Sequence, residues 1–234
     1  MELNGSSKIY TKMNLNFIYP IFHPLDYCLK QQLKKCHTVL DLGCGPSSPL
    51  KKIKNITYSV GVELFTPYLE LSKSQKIHTK YLQKNILDLD FPKNSFDAVI
   101  LIEVLEHLSK QDGQKVLKLA NKWAKKKIIL STPHLYFPMD EVDQNPYQKH
   151  LSGWSISELK KLGFKVNGVS GLRFFYKSQN NVDSLIKGSR YQNIKFKPQP
   201  FFYIINAFFQ IPNYYFPKFT FGLFAVKNKK DEKN

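Results

Sequence analysis

The stretch Thr38–Ser48, TVLDLGCGPSS, constrains this chain most. Thr38 to Leu42 is a short apolar run with an acid near its end; Gly43-Cys44-Gly45 follows at once, and Pro46, Ser47 and Ser48 open the next segment. That order reads as a buried strand, a tight glycine turn and a helix start. The glycines let the backbone approach a ligand closely, while Asp41, at the carboxyl end of the strand, reaches a cationic or hydroxylated group. About twenty residues past Gly43, a second strand pattern, Tyr58–Leu64, carries Glu63 near its end, where an acid accepts from both hydroxyls of a ribose.

Further strand patterns follow at the spacing of an α/β sheet. Lys80–Leu82 centres a short third strand, Phe96–Leu101 (FDAVIL) a central parallel one and Lys127–Ser131 (KIILS) a fifth. Helices are expected over Leu25–Lys35, Pro67–Lys73, Gln111–Ala124 and Ser155–Leu162, the last stopped by Gly163. VLDLGCG, GVEL, FDAVILIEVLEHL and IILSTP, in this order, resemble the motif set of class I S-adenosylmethionine (SAM) dependent methyltransferases, of the small-molecule type 11/12 and ubiquinone-pathway kind, from Val39 to Ser170. A dinucleotide dehydrogenase is the competing reading, but its fingerprint wants a third glycine three residues after the second, and Ser48 stands there.

The resemblance implies a Rossmann-like fold, with a seven-stranded, mostly parallel sheet, an antiparallel last strand and helices on both faces. Residues 1–36 would be an amino-terminal segment and cap helix, 37–170 the SAM-binding core, 171–218 an aromatic-rich insertion and 219–234 the last strand with a charged tail. The helix before the first strand either roofs the cofactor or only covers the sheet. SAM would bind over Asp41, Gly43, Cys44, Gly45, Glu63, Leu64, Asn85, Ile86, Asp88 and Glu103. Related enzymes usually place an acid after the third strand for the adenine amino group. Asn85 stands there instead; its amide oxygen still accepts, and Asp88 is close enough in sequence to substitute.

Methyl transfer from a sulfonium is an in-line displacement, so nucleophile, carbon and sulfur must be aligned and a hydroxyl acceptor deprotonated. His107, His134 and His150 are the candidate bases, since imidazole titrates near neutral pH. His150 is preferred, because His-x-x-x-Trp between the fifth strand and the next helix lies over the reaction rim. An alternative uses Glu103, Glu106, His107 and His150 as a divalent-metal site. E-x-x-E-H with a downstream histidine is similar to the metal site of small-RNA 3′-end 2′-O-methyltransferases, and ubiquinone-pathway enzymes also carry E-x-x-E-H. A mixed oxygen and nitrogen set suits manganese, cobalt or zinc better than magnesium. A packing and cofactor role for the same residues stands beside it.

Charge and cysteines bound the partners. The formal charge of +17 suggests nucleic acid or an anionic membrane, but only Arg173 and Arg190 of the 35 basic residues are arginine, the residue favoured for phosphate recognition. The charge is thus either functional or a bias of genome composition. Cys28, Cys36 and Cys44 lack C-x-x-C spacing, so no zinc site or disulfide framework follows and a reducing, cytoplasmic setting is expected. Met1–Pro20 has no charged start followed by an apolar core, and no apolar run reaches about 18 residues, so neither a secretory leader nor a spanning helix is expected.

The last third sets substrate class. Lys165–Ser170 reads as the sixth strand and Phe219–Val226 as the seventh, with roughly fifty residues between them where a hairpin would do, an insertion of the kind that carries specificity. Phe201, Ile204, Ile205, Phe208 and Phe209 fall on one helical face opposite Asn206 and Gln210, flanked by Lys195, Lys197 and Lys218. A lid over the pocket, a dimer face and a peripheral contact at the inner membrane face all fit that stripe. Asn145–Gly171 is also similar to uncharacterised bacterial and archaeal methyltransferases of glycan and lipid-linked sugar pathways. The expected activity is methyl transfer from SAM to a small-molecule or lipid-linked acceptor. The alternatives are a metal-dependent RNA 2′-O-methyltransferase and a non-catalytic SAM-binding regulator.

Overall fold

The computed structural model describes residues 19–177 and 193–229. The first eighteen residues, the middle of the insertion and the end of the charged tail lie outside the described residues. Seven strands form one sheet: β1 (Thr38–Leu42), β2 (Tyr58–Val62), β3 (Lys80–Leu82), β4 (Phe96–Ile102), β5 (Ala124–Pro133), β6 (Lys165–Leu172) and β7 (Thr220–Asn228). Their order is β3-β2-β1-β4-β5-β7-β6; β1 to β5 run parallel, and β7 lies antiparallel between β5 and β6. This is the expected class I arrangement.

Alternation along the buried strands feeds two cores. Leu40, Leu42, Val99 and Leu101 pack on one side against Val116, Leu117, Ala120 and Trp123 of α3 (Lys110–Trp123). Val39, Ala98 and Ile100 pack on the other against Cys28, Leu29 and Leu33 of α1 (Leu25–Leu33). α1 covers this face of the sheet, and none of its residues lines the cleft described below. β5 is longer than its apolar run: β7 pairs with it from Lys127 to Pro133 and β4 from Ala124, and two of its lysines are anchored, Lys126 on Asp97 and Lys127 on Gln32. α2 (Thr66–Ser74) and α4 (Ile156–Lys161) complete the layers, α4 entered through a capping box between Ser155 and Glu158.

The insertion contains one long helix, α5 (Gln199–Tyr215), packed on the edge strand β6. None of the residues of α5 lines the cleft, whereas Asn193 of the same insertion does.

Candidate cofactor and reaction cleft

Sheet order reverses between β1 and β4, and a cleft of about 540 Å³ opens beyond the carboxyl ends of the parallel strands at this switch point. Register brings the acids to one rim: Asp41 pairs with Gly61 on β2 and Ile100 on β4, so Glu63 and Glu103 emerge on either side of β1, each just past its strand end. The turn after β1 forms the floor. Gly43 and Gly45 have φ of +67° and +58°, and a Cβ on Gly43 would stand 2.8 Å from Val104 Cγ2, so only glycine fits there. The Cys44 amide donates to the Val62 carbonyl at 2.9 Å and its thiol turns onto Ser72, so Cys44 offers backbone alone.

Glu63 is already held. Its Oε2 accepts from the Gly45 amide at 3.0 Å and its Oε1 from the Phe65 amide at 2.9 Å, which fixes the carboxylate across the glycine turn with lone pairs to spare. Burial nevertheless raises its pKa. Asp41 is buried, accepts from the Ser48 hydroxyl at 2.5 Å and faces the His78 ring at 3.5 Å. Burial is the main cause that lifts it to about 7, and the Glu63 charge adds to the rise. Asn85 accepts from the Leu87 amide and starts the short turn Ile86–Asp88. Leu64, Asn85 and Ile86 line the cleft, whereas Asp88 is exposed and is not among the lining residues.

Opposite stand the side chains of the E-x-x-E-H stretch. Glu103 adopts φ +55°, rare for a side chain with a Cβ, and its amide is held by the carbonyl and hydroxyl of Ser131. Glu106 is buried and accepts from Thr132 Oγ1 at 2.9 Å. Burial and the neighbouring Glu103 charge raise the Glu106 carboxyl well above the usual carboxylate range, and desolvation raises Glu103 as well, although its side chain opens to the cleft.

His107 and His150 lie with ring centroids 4.8 Å apart. His150 Nδ1 sits 2.6 Å from the Phe137 carbonyl, which can only accept, so Nδ1 carries the proton and Nε2 keeps a lone pair. Burial lowers both imidazoles, and His107, with His150 as neighbour, falls to about 4. Ligand atoms of Glu106, His107 and His150 lie within 4.8 Å of one another, and Glu103 is not in that group. Neutral imidazoles and a buried carboxylate fit a divalent cation, with a small contraction needed to reach bonding distances. His134 lies apart: it lines a separate depression with Arg173, whose guanidinium donates to its carbonyl, and it is not brought together with His107 and His150. Sequence reading missed Phe137, Met139, Tyr147, Asn193 and Phe221 as lining residues; they come from loops and a distant strand, with no spacing that marks them.

A methyltransferase domain family matches residues 40–130. An uncharacterised protein of Methanocaldococcus jannaschii is 35% identical over 106 residues, 43% of this chain and 44% of that one. (S)-coclaurine N-methyltransferase of Thalictrum flavum is 27% identical over 136 residues, 50% of this chain and 36% of that one. The chain thus spans less than half the length of these curated relatives. A SAM dependent methyltransferase from Archaeoglobus fulgidus shares the fold at a TM-score of 0.51 and 17% identity, over 92% of this chain and 99% of that one.

Proposed function

We propose that this chain, which carries a class I SAM-dependent methyltransferase domain, binds SAM in the cleft between β1, β2 and β4 and transfers its methyl group to a small or lipid-linked acceptor. One observation carries the reading: in a chain of formal charge +17, Asp41, Glu63, Glu103 and Glu106 converge on a single cleft whose only lysine or arginine, among the described residues, is Lys84. Such a cleft suits a cationic ligand, and SAM carries a sulfonium and an α-ammonium. Glu63 holds the ribose hydroxyls, the Gly43–Gly45 turn admits the methionine end, and Asn85 with Ile86 flanks the adenine.

His150 Nε2, which keeps a lone pair, takes the proton of a hydroxyl acceptor as the methyl group moves, or the proton that a neutral amine acceptor sheds once it is methylated. The coclaurine N-methyltransferase likeness supports a small-molecule acceptor. A second reading rests on the Glu106, His107 and His150 cluster, which would hold a divalent cation that fixes acceptor hydroxyls.

The test is transfer of labelled methyl from SAM into cell extract separated into lipid, small-molecule, RNA and protein fractions, with and without chelator. Chelator-resistant label in lipid or small molecules is the expected result. Label confined to RNA and abolished by chelator favours the second reading, and no label in any fraction overturns both.

A further inference from the structure

Helix α5 presents its faces in reverse. Asn206, Gln210 and Asn213 are buried, while Phe201, Ile204, Phe208 and Tyr215 are exposed, Phe208 by 61%. The inward amides have fixed partners. Asn206 accepts from the Leu172 amide at 2.7 Å, and Gln210 accepts from the Gly171 amide at 2.7 Å while donating to the Gly168 carbonyl at 3.0 Å. These bonds satisfy the backbone of edge strand β6 around its register shift after Val169, so rolling the helix to hide its aromatics would strand buried polar groups. The apolar side thus faces outward by construction.

The face continues beyond the helix and is framed by positive charge. Phe216, exposed by 77%, and Phe219 follow α5, and Phe174 stands beside Lys195, whose ammonium lies 5.5 Å from its ring. Arg173, Lys195 and Lys218 share one depression with Phe174 and Phe219. Residues 165–218 contain eight lysines and arginines against one acid, Asp183, and α5 itself carries no charge. Tyr176, from the same depression, stacks at 3.8 Å on Phe221, which lines the reaction cleft, so the two sites adjoin.

A second copy of this chain is a poor occupant, because a self-complementary contact here would bring like-charged rims together. An anionic bilayer complements both features: its interfacial layer takes aromatic side chains, and its phosphates take the lysines. We propose that α5 and its flanking turns dock on an anionic lipid bilayer. Phe201, Ile204, Phe208 and Phe216 enter the interfacial layer, and Arg173, Lys195 and Lys218 meet lipid phosphates. The contact is peripheral, since no helix among the described residues is long and apolar enough to cross a membrane.

Vesicle flotation of the whole chain tests this, with phosphatidylcholine alone or mixed with phosphatidylglycerol. Binding is expected only with phosphatidylglycerol and to weaken with salt. Ile204→Ser with Phe208→Ser should lower partitioning at least tenfold, with a small drop in melting temperature from the lost Phe22–Phe208 edge contact. Lys195→Gln and Lys218→Gln should lower it about fivefold each, with thermal melting unchanged because both lysines are exposed. A folded wild-type chain that ignores anionic vesicles, or binds both compositions equally, overturns the proposal. So does a stable dimer in sedimentation equilibrium that Ile204→Ser dissolves.

Discussion

In the proposed SAM complex, cofactor binding turns on Glu63. Both its oxygens accept backbone amides, so Glu63→Gln would place an NH₂ against one of those donors as well as removing the charge. SAM affinity should fall at least tenfold by isothermal titration, the scale of a lost charge-assisted hydrogen bond. His150 separates binding from chemistry: His150→Ala should leave the SAM dissociation constant unchanged and lower kcat by roughly 10²- to 10⁴-fold, the range for a general base. Because burial holds His107 at about 4 and also lowers His150, the folded protein keeps neutral imidazoles where free histidine is charged. The imidazole-dependent limb of the pH–rate profile should therefore hold as pH falls through about 6.5 and fail only nearer the depressed values. A limb with its midpoint at an ordinary imidazole value would show that these rings do not govern the rate. Asp41, Gly43, Glu63 and Glu103 were legible in sequence because each follows or ends a recognisable strand. Asp88 and His134 fall outside the cleft lining for one reason: sequence neighbourhood does not say which way the chain around a loop residue turns.

At the scale of elements, the strands stood out because buried parallel strands are continuous apolar runs between turns. Their ends were less legible, since β5 and β7 lengthen each other by pairing, beyond the apolar part of either. The stripe on α5 was visible as periodicity, but periodicity does not say which side faces the protein. Backbone geometry decided it: β6 needs hydrogen-bond partners at Gly168, Gly171 and Leu172, and only the amide side of α5 supplies them. Asn206→Leu or Gln210→Leu should accordingly destabilise the chain by about 1 to 3 kcal/mol each. Calorimetry should show this as a melting temperature lower by roughly 2 to 4 °C per kcal/mol. A hydrophobic substitution that stabilised the protein would mean that the helix packs through its apolar side.

For the molecule as a whole, charge is divided by function. The chain is strongly basic, yet four acids gather at one cleft while the lysines around α5 frame an apolar face. Total charge alone pointed to nucleic acid or membrane; only the folded arrangement separates an acid-lined cleft from a lysine-framed apolar face. The most direct test of the central claim is isothermal titration of the chain with SAM, S-adenosylhomocysteine and NAD, repeated on Glu63→Gln and Gly43→Ala. Saturable one-to-one binding of the two adenosyl ligands, no binding of NAD, and at least tenfold weakening in both variants is the predicted result. Absence of SAM binding by the folded chain, or SAM binding indifferent to both substitutions, would contradict the assignment of this cleft.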